Sequence, residues 1–125
     1  VDILVALQAS GALQGVWPSV EINGKHFFDG GSFSMENPDV FVDADKMLVL
    51  STGLPVDVPY KLEDLLAQLE KKGTETSLVL PSEKTMNILK DFNYNMVEAK
   101  IRPFVAQAGR EQGQAEAALI KERWL

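Results

Sequence analysis

The chain has 125 residues, 46% hydrophobic and 24% charged, a size and composition that suit one domain spanning 1–125 with a modest core. It carries 18 acidic and 12 basic residues, a net charge of -6, and the basic residues are scattered, which argues against nucleic acid as a partner. It has no cysteine, which excludes disulfides and thiolate metal sites and is compatible with a reducing compartment, so the expected location is the cytoplasm.

The opening, VDILVALQAS, has no basic leader region and no initiator methionine. Its apolar residues Ile3, Leu4, Ala6, Leu7 and Ala9 predict a short buried helix ending near Ser10-Gly11, with no cap before it. That start is expected of a piece of a longer chain. GVWPSV reads as a loop, because Pro18 disfavours helix at Trp17. SVEINGKHFF is the clearest local signal, with Asn23-Gly24 as the type I′ turn of a two-residue hairpin. Alternation sends Val20 and Ile22 one way and Glu21 the other, with Phe27 beside Val20 on a face that can be buried.

DGGSFSMENPDVFVDAD is expected to be irregular, with a turn of helix at Pro38 capped by Asn37. KMLVLS has the length and apolar continuity of a strand buried on both faces of a parallel sheet. TGLPVDVP is a linker. YKLEDLLAQLEKKG is the best helix, with Leu62, Leu65, Leu66 and Leu69 on one stripe, lysines in its last turn and Gly73 closing it. Its mixed polar face marks that stripe as core-facing, not membrane-facing. TSLVLP reads as a second buried strand, and Ser82 caps a helix through about Leu89. NYN interrupts. From Val97 onward the chain is helical in character, kinked near Pro103 and weakened at Gly109 and Gly113. Trp17 and Trp124 are expected to pack in the core. Strands alternating with helices give an α/β class. No apolar stretch approaches the ~20 residues of a membrane-spanning helix.

The chemistry is narrowed by elimination. The single histidine, His26, falls on the outward face of the hairpin, where a plain solvent-facing role is expected. There is no H-E-x-x-H, no Walker loop and no G-x-S-x-G; Gly30-Gly31-Ser32 comes nearest to the last. Neither a metal nor a cofactor is expected. Asp29 remains. An aspartate before glycine is often a turn residue. Here it follows Phe27-Phe28, whose apolar surroundings would make a carboxylate a better base. Gly30 and Gly31 remove side chains beside it and permit close approach.

The ordered set Ala9-Ser10-Gly11-Ala12, Trp17-Pro18, Val20 to Gly24, Asp29-Gly30-Gly31, Asn37-Pro38 and Ala44-Asp45 leading into Val49-Leu50 resembles the second half of patatin-like phospholipases of bacterial type. LEDLLAQLEKKGTETSLVLPSEKTM and AGREQGQAEAALIKERWL are similar to the closing elements of that family, so the resemblance covers essentially the whole chain. Gln14 stands where many relatives have proline, and the family's nucleophile elbow and glycine-rich oxyanion loop are not among these residues. The resemblance implies a three-layer α/β fold with a mostly parallel sheet, of which this is the C-terminal part plus closing helices. It implies a Ser-Asp dyad lipid acyl hydrolase with Asp29 as the catalytic carboxylate, the serine lying elsewhere, and a lipid or acyl-ester substrate. Gly30 and Gly31 match the motif and have no chemical role beyond close approach. The chain alone is then expected to be inactive, with room for peripheral membrane contact. Two other readings are an inert α/β binding module and a stable fragment that self-associates through an exposed sheet edge.

Overall fold

A computed structural model describes residues 1–41, 43–95 and 98–124; Val42, Met96, Val97 and Leu125 lie outside the described residues, and with Val97 the expected start of the last helical stretch. Helices and short strands alternate, an α/β arrangement, and the chain's contacts group into two compact units. The first unit is Val1–Val49 with Leu54–Thr76, and the second is Leu50–Gly53 with Ser77–Leu125.

The first unit opens with helix α1 (Ile3–Ser10). Contrary to expectation it is capped: Asp2 accepts a hydrogen bond from Leu4 N at 2.8 Å. It is also largely open, for Ile3, Leu4 and Leu7 are 73%, 71% and 62% exposed, Val5 is half-buried and Ala9 alone of its residues is buried. The apolar periodicity gave the helix correctly, but nothing among the described residues covers its outer face. Strands β1 (Val20–Ile22) and β2 (Lys25–Phe27) form the antiparallel hairpin, with Val20 opposite Phe27 and Glu21 opposite His26. Asn23 and Gly24 take φ of 52° and 73°, the left-handed pair that a type I′ turn requires.

Two turns of 3-10 helix follow, Gly30–Ser32 and Pro38–Val40. Pro38 starts the second as expected, but Asn37 does not cap it. Asn37 is itself left-handed, with φ of 48°, and its amide is engaged elsewhere. Strand β3 (Lys46–Leu50) leads to helix α2 (Leu62–Lys71) and strand β4 (Glu75–Val79). Leu65, Leu66 and Leu69 are buried, and Leu66 and Leu69 join Met47 and Val49 in the core cluster of this unit, with Leu62 and Ala44 at its edge. The leucine stripe is thus the core contact of α2. Gly73 N and Thr74 N close its end on Glu70 O and Leu69 O.

β3 and β4 are hydrogen-bonded neighbours. Glu75 N donates to Asp45 O at one end and Ser51 N donates to Val79 O at the other, so both strands advance in the same direction, the parallel sense of a β-α-β unit. Their burial departs from the expected two-sided pattern. Met47 and Val49 are buried while Leu50 is exposed, and β4 is at most half-buried, with Leu78 and the following Leu80 open to solvent. Two strands have two free edges and too little cover to enclose both faces.

In the second unit, Ser82 caps helix α3 (Glu83–Asp91) by accepting from Thr85 N. Asn93 and Tyr94, both left-handed, make the break expected at NYN. A 3-10 turn at Ala99–Ile101 runs into helix α4 (Arg102–Trp124), which is continuous for 23 residues. Pro103 does not kink it. It sits in the first turn, where its missing N–H has no partner to lose. Gly109 and Gly113 do not break it either. The helix is held along its length by α3, through Lys84 to Glu111 at 2.5 Å, and by Gln112, whose Oε1 accepts from Ser82 N at 2.8 Å and whose Nε2 donates to Leu80 O at 2.7 Å. Trp17 and Trp124 are both exposed, not core residues as expected. No helix among the described residues is long and apolar enough to cross a membrane.

Candidate functional site

Asp29 follows directly on the hairpin, and its placement starts with the β1–β2 register. The Val20–Phe27 pair ends the ladder, and two residues later Asp29 N donates to Ala12 O at 3.0 Å, tying the hairpin to the segment after α1. The backbone then turns sharply. Ser32 N reaches back to Asp29 O, and Phe33 N and Ser34 N both donate to Gly30 O. The Asp29 carboxylate turns with it: Oδ1 accepts from Gly31 N at 2.8 Å, which leaves Oδ2 outside that bond. The residue is half-buried.

The two glycines are close-approach residues, as the sequence indicates, but the groups that approach are the loop's own. A Cβ on Gly31 would lie 3.1 Å from Asp29 Oδ1, and one on Gly30 would lie 3.2 Å from Asn37 Nδ2. Asn37 is the member of the site that sequence reasoning missed. Its Nδ2 donates to Gly30 O at 3.1 Å and to Ser34 O at 2.5 Å, while its N donates to Oγ of the fully buried Ser34. The signal available was its residue type, since asparagine tolerates the left-handed conformation that aims its amide back at the glycines. Residues 29–37 therefore form a loop pinned by several hydrogen bonds, with Asp29 at its entry.

Phe27 and Phe28, expected to make one side of Asp29 apolar, are 43% and 47% exposed. His26 is exposed on the face opposite Val20 and Ile22, as expected, and its Nδ1 lies 3.0 Å from Ser19 Oγ. A groove of about 330 Å³ lies beside the loop, lined by Leu7, Gln8, Gly11, Ala12, Trp17, Pro18 and Val20. Asp29 does not line it, but the Ala12 residue that does also holds Asp29 N. Among the described residues no group of three or more acidic or histidine side chains is placed to hold a metal ion.

Comparison with protein-family models, with curated proteins and with solved structures found no match for this chain.

Proposed function

We propose that this chain is the C-terminal part of a patatin-like lipid acyl hydrolase, with the three-layer fold of that family, and that Asp29 is the carboxylate of its Ser-Asp dyad. The observation that carries the reading is Asp29 itself, a half-buried carboxylate on a pinned loop, one hydrogen bond removed from an apolar groove through Ala12. Gly31 N fixes Oδ1, so the second oxygen has a defined direction in which to accept a proton. The groove walls, Leu7, Trp17, Pro18 and Val20, suit an acyl chain better than a polar substrate.

In this mechanism a serine supplied from outside these residues attacks the ester carbonyl. Its proton passes to Asp29, the ester C–O bond breaks, and the alcohol leaves with that proton. Water then hydrolyses the acyl-serine by the same route. General base assistance of this kind is worth about 10²- to 10⁴-fold in rate. A chain without the serine holds the base alone and turns nothing over.

A second reading is favoured by the Gly31 bond, which makes Asp29 the cap of a 3-10 turn and no more. Asparagine separates the two. Asp29→Asn keeps an oxygen for Gly31 N and removes the proton acceptor. Hydrolysis of a p-nitrophenyl acyl ester by the longer, serine-bearing protein is expected to fall at least about 100-fold in kcat with unchanged melting temperature. Full activity in Asp29→Asn would make the residue a turn cap and overturn the assignment.

A further inference from the structure

We propose that two copies of this chain associate edge to edge along β4, with the C-terminal parts of their α4 helices side by side over the seam. The residues it rests on, Ser77 to Leu80 of the strand segment and the C-terminal part of α4, all belong to the second unit, and the inference is independent of the role given to Asp29.

The first observation is the open edge. Val79 O accepts from Ser51 N on the β3 side, so by the alternation of a strand Leu78 points its main-chain N–H and C=O groups the other way. Among the described residues β4 has one sheet neighbour, β3, and the next carbonyl on its open side, Leu80 O, already accepts from Gln112. The second observation is a groove of about 300 Å³ lined by Ser77, Leu78, Val79 and Leu80 together with Glu116, Leu119, Ile120 and Arg123. Four consecutive residues of an extended segment cannot line a cleft from one face, because alternate side chains point to opposite faces. The groove therefore follows the strand's edge, with α4 as its far wall. An occupant of that edge has to offer backbone donors and acceptors at strand spacing, which a polypeptide does and a lipid does not.

The third observation selects a second copy as that polypeptide. On the α4 wall the apolar pair Leu119-Ile120 lies between opposite charges, with Glu116 three residues before Leu119 and Arg123 three residues after Ile120. Leu119 is 65% exposed. A two-fold axis beside Leu119-Ile120 reverses the order of the charges. It packs the apolar pair on itself and sets Glu116 of each copy opposite Arg123 of the second copy. This is the self-complementarity that an isologous interface requires. The same axis runs the two β4 edges antiparallel, so that Leu78 meets Leu78 and both gain the main-chain bonds their edge lacks.

Sedimentation equilibrium of the 125-residue chain over about 1 to 100 µM, which brackets weak interface affinities, tests this. The expected result is a shift toward twice the 13.8 kDa chain mass at the upper end. Glu116→Arg and Arg123→Glu should each weaken association by about 10-fold or more, since each creates like-charge pairs on both sides of the axis, and the double exchange should restore it. The amide of Leu78 should gain hydrogen-exchange protection with concentration, and matched far-UV circular dichroism keeps folding apart from association. A chain monomeric throughout overturns the proposal. So does a dimer indifferent to both charge reversals, or one in which Leu78 exchange does not follow concentration.

Discussion

Replacing Gly31 by alanine would put a methyl carbon 3.1 Å from Asp29 Oδ1, inside ordinary contact distance, at a point where the carboxylate is already committed to Gly31 N. Either the carboxylate rotates off that bond or the turn opens. Crowding of this order typically costs about 1 kcal/mol, and more where the neighbour cannot yield. Gly31→Ala is therefore expected to lower the urea midpoint slightly and, in the serine-bearing protein, to lower kcat with little change in KM, because the base is moved and the groove is not. An unchanged kcat would show that the direction of the Asp29 carboxylate does not matter. Asn37→Ala probes the same loop from the other side. It removes the donor to Ser34 O and one of three donors to Gly30 O, which keeps its bonds from Phe33 N and Ser34 N, and should cost about 1 kcal/mol in urea unfolding. At this scale Asp29 was legible because a hairpin turn and a glycine pair mark their own positions. Asn37 was not, because its partners are separated from it along the chain and only the folded loop brings them within reach.

Elements separate along the same line. The hairpin, α2 and α3 are encoded locally, by Asn23-Gly24, by a leucine stripe and by a capping serine, and each was readable from its own residues. Helix α4 was not. Its least exposed face runs through Val105, Ala108, Gln112, Glu116 and Ile120, and the two polar members blur the apolar period that reveals an amphipathic helix. Gln112 is placed there by its partners, not by its hydropathy. Gln112→Leu would leave Leu80 O and the part-buried Ser82 N unsatisfied together, and should destabilise the chain by about 1 to 3 kcal/mol despite adding apolar surface. Stabilisation on that substitution would show that water replaces both bonds without penalty. The α3–α4 contact also carries a pH signature. Hydrogen bonds from Lys84 and then Gln107, with the nearby Lys84 charge, hold the Glu111 carboxyl below the ordinary value of 4.5. A carboxyl depressed on folding adds stability above its unfolded value, and that stability is lost as pH falls through the folded one. Glu111 is exposed to solvent, so screening keeps the effect small. A carbon-13 titration should place its midpoint below 4.5, and Lys84→Gln should raise it. A midpoint unmoved by Lys84→Gln would remove the ion pair from the account of this contact.

For the molecule as a whole, the uneven burial is what sequence periodicity could not report. An apolar stripe says that a face wants cover, and not whether cover is present. The stripe of α2 meets Met47 and Val49, whereas that of α1 meets no comparable layer among the described residues. The two faces should therefore respond oppositely to substitution. Leu69→Ala removes one of the least exposed side chains in the chain and is expected to cost about 2 to 5 kcal/mol. Ile3→Lys with Leu4→Lys alters two side chains that already stand in water and lie outside the groove beside Asp29, so stability should move by less than about 0.5 kcal/mol per site. Solubility should change far more than stability. Exposed apolar residues at adjacent helix positions invite non-specific association, and replacing them with charged side chains removes that apolar surface. Light scattering on heating is expected to fall in the double variant while the urea midpoint holds. A loss above about 1 kcal/mol would mean that α1 contributes its apolar face to the stability of the folded chain, as a buried helix does. An unchanged midpoint would mean that Ile3 and Leu4 contribute nothing measurable to the stability of the folded chain.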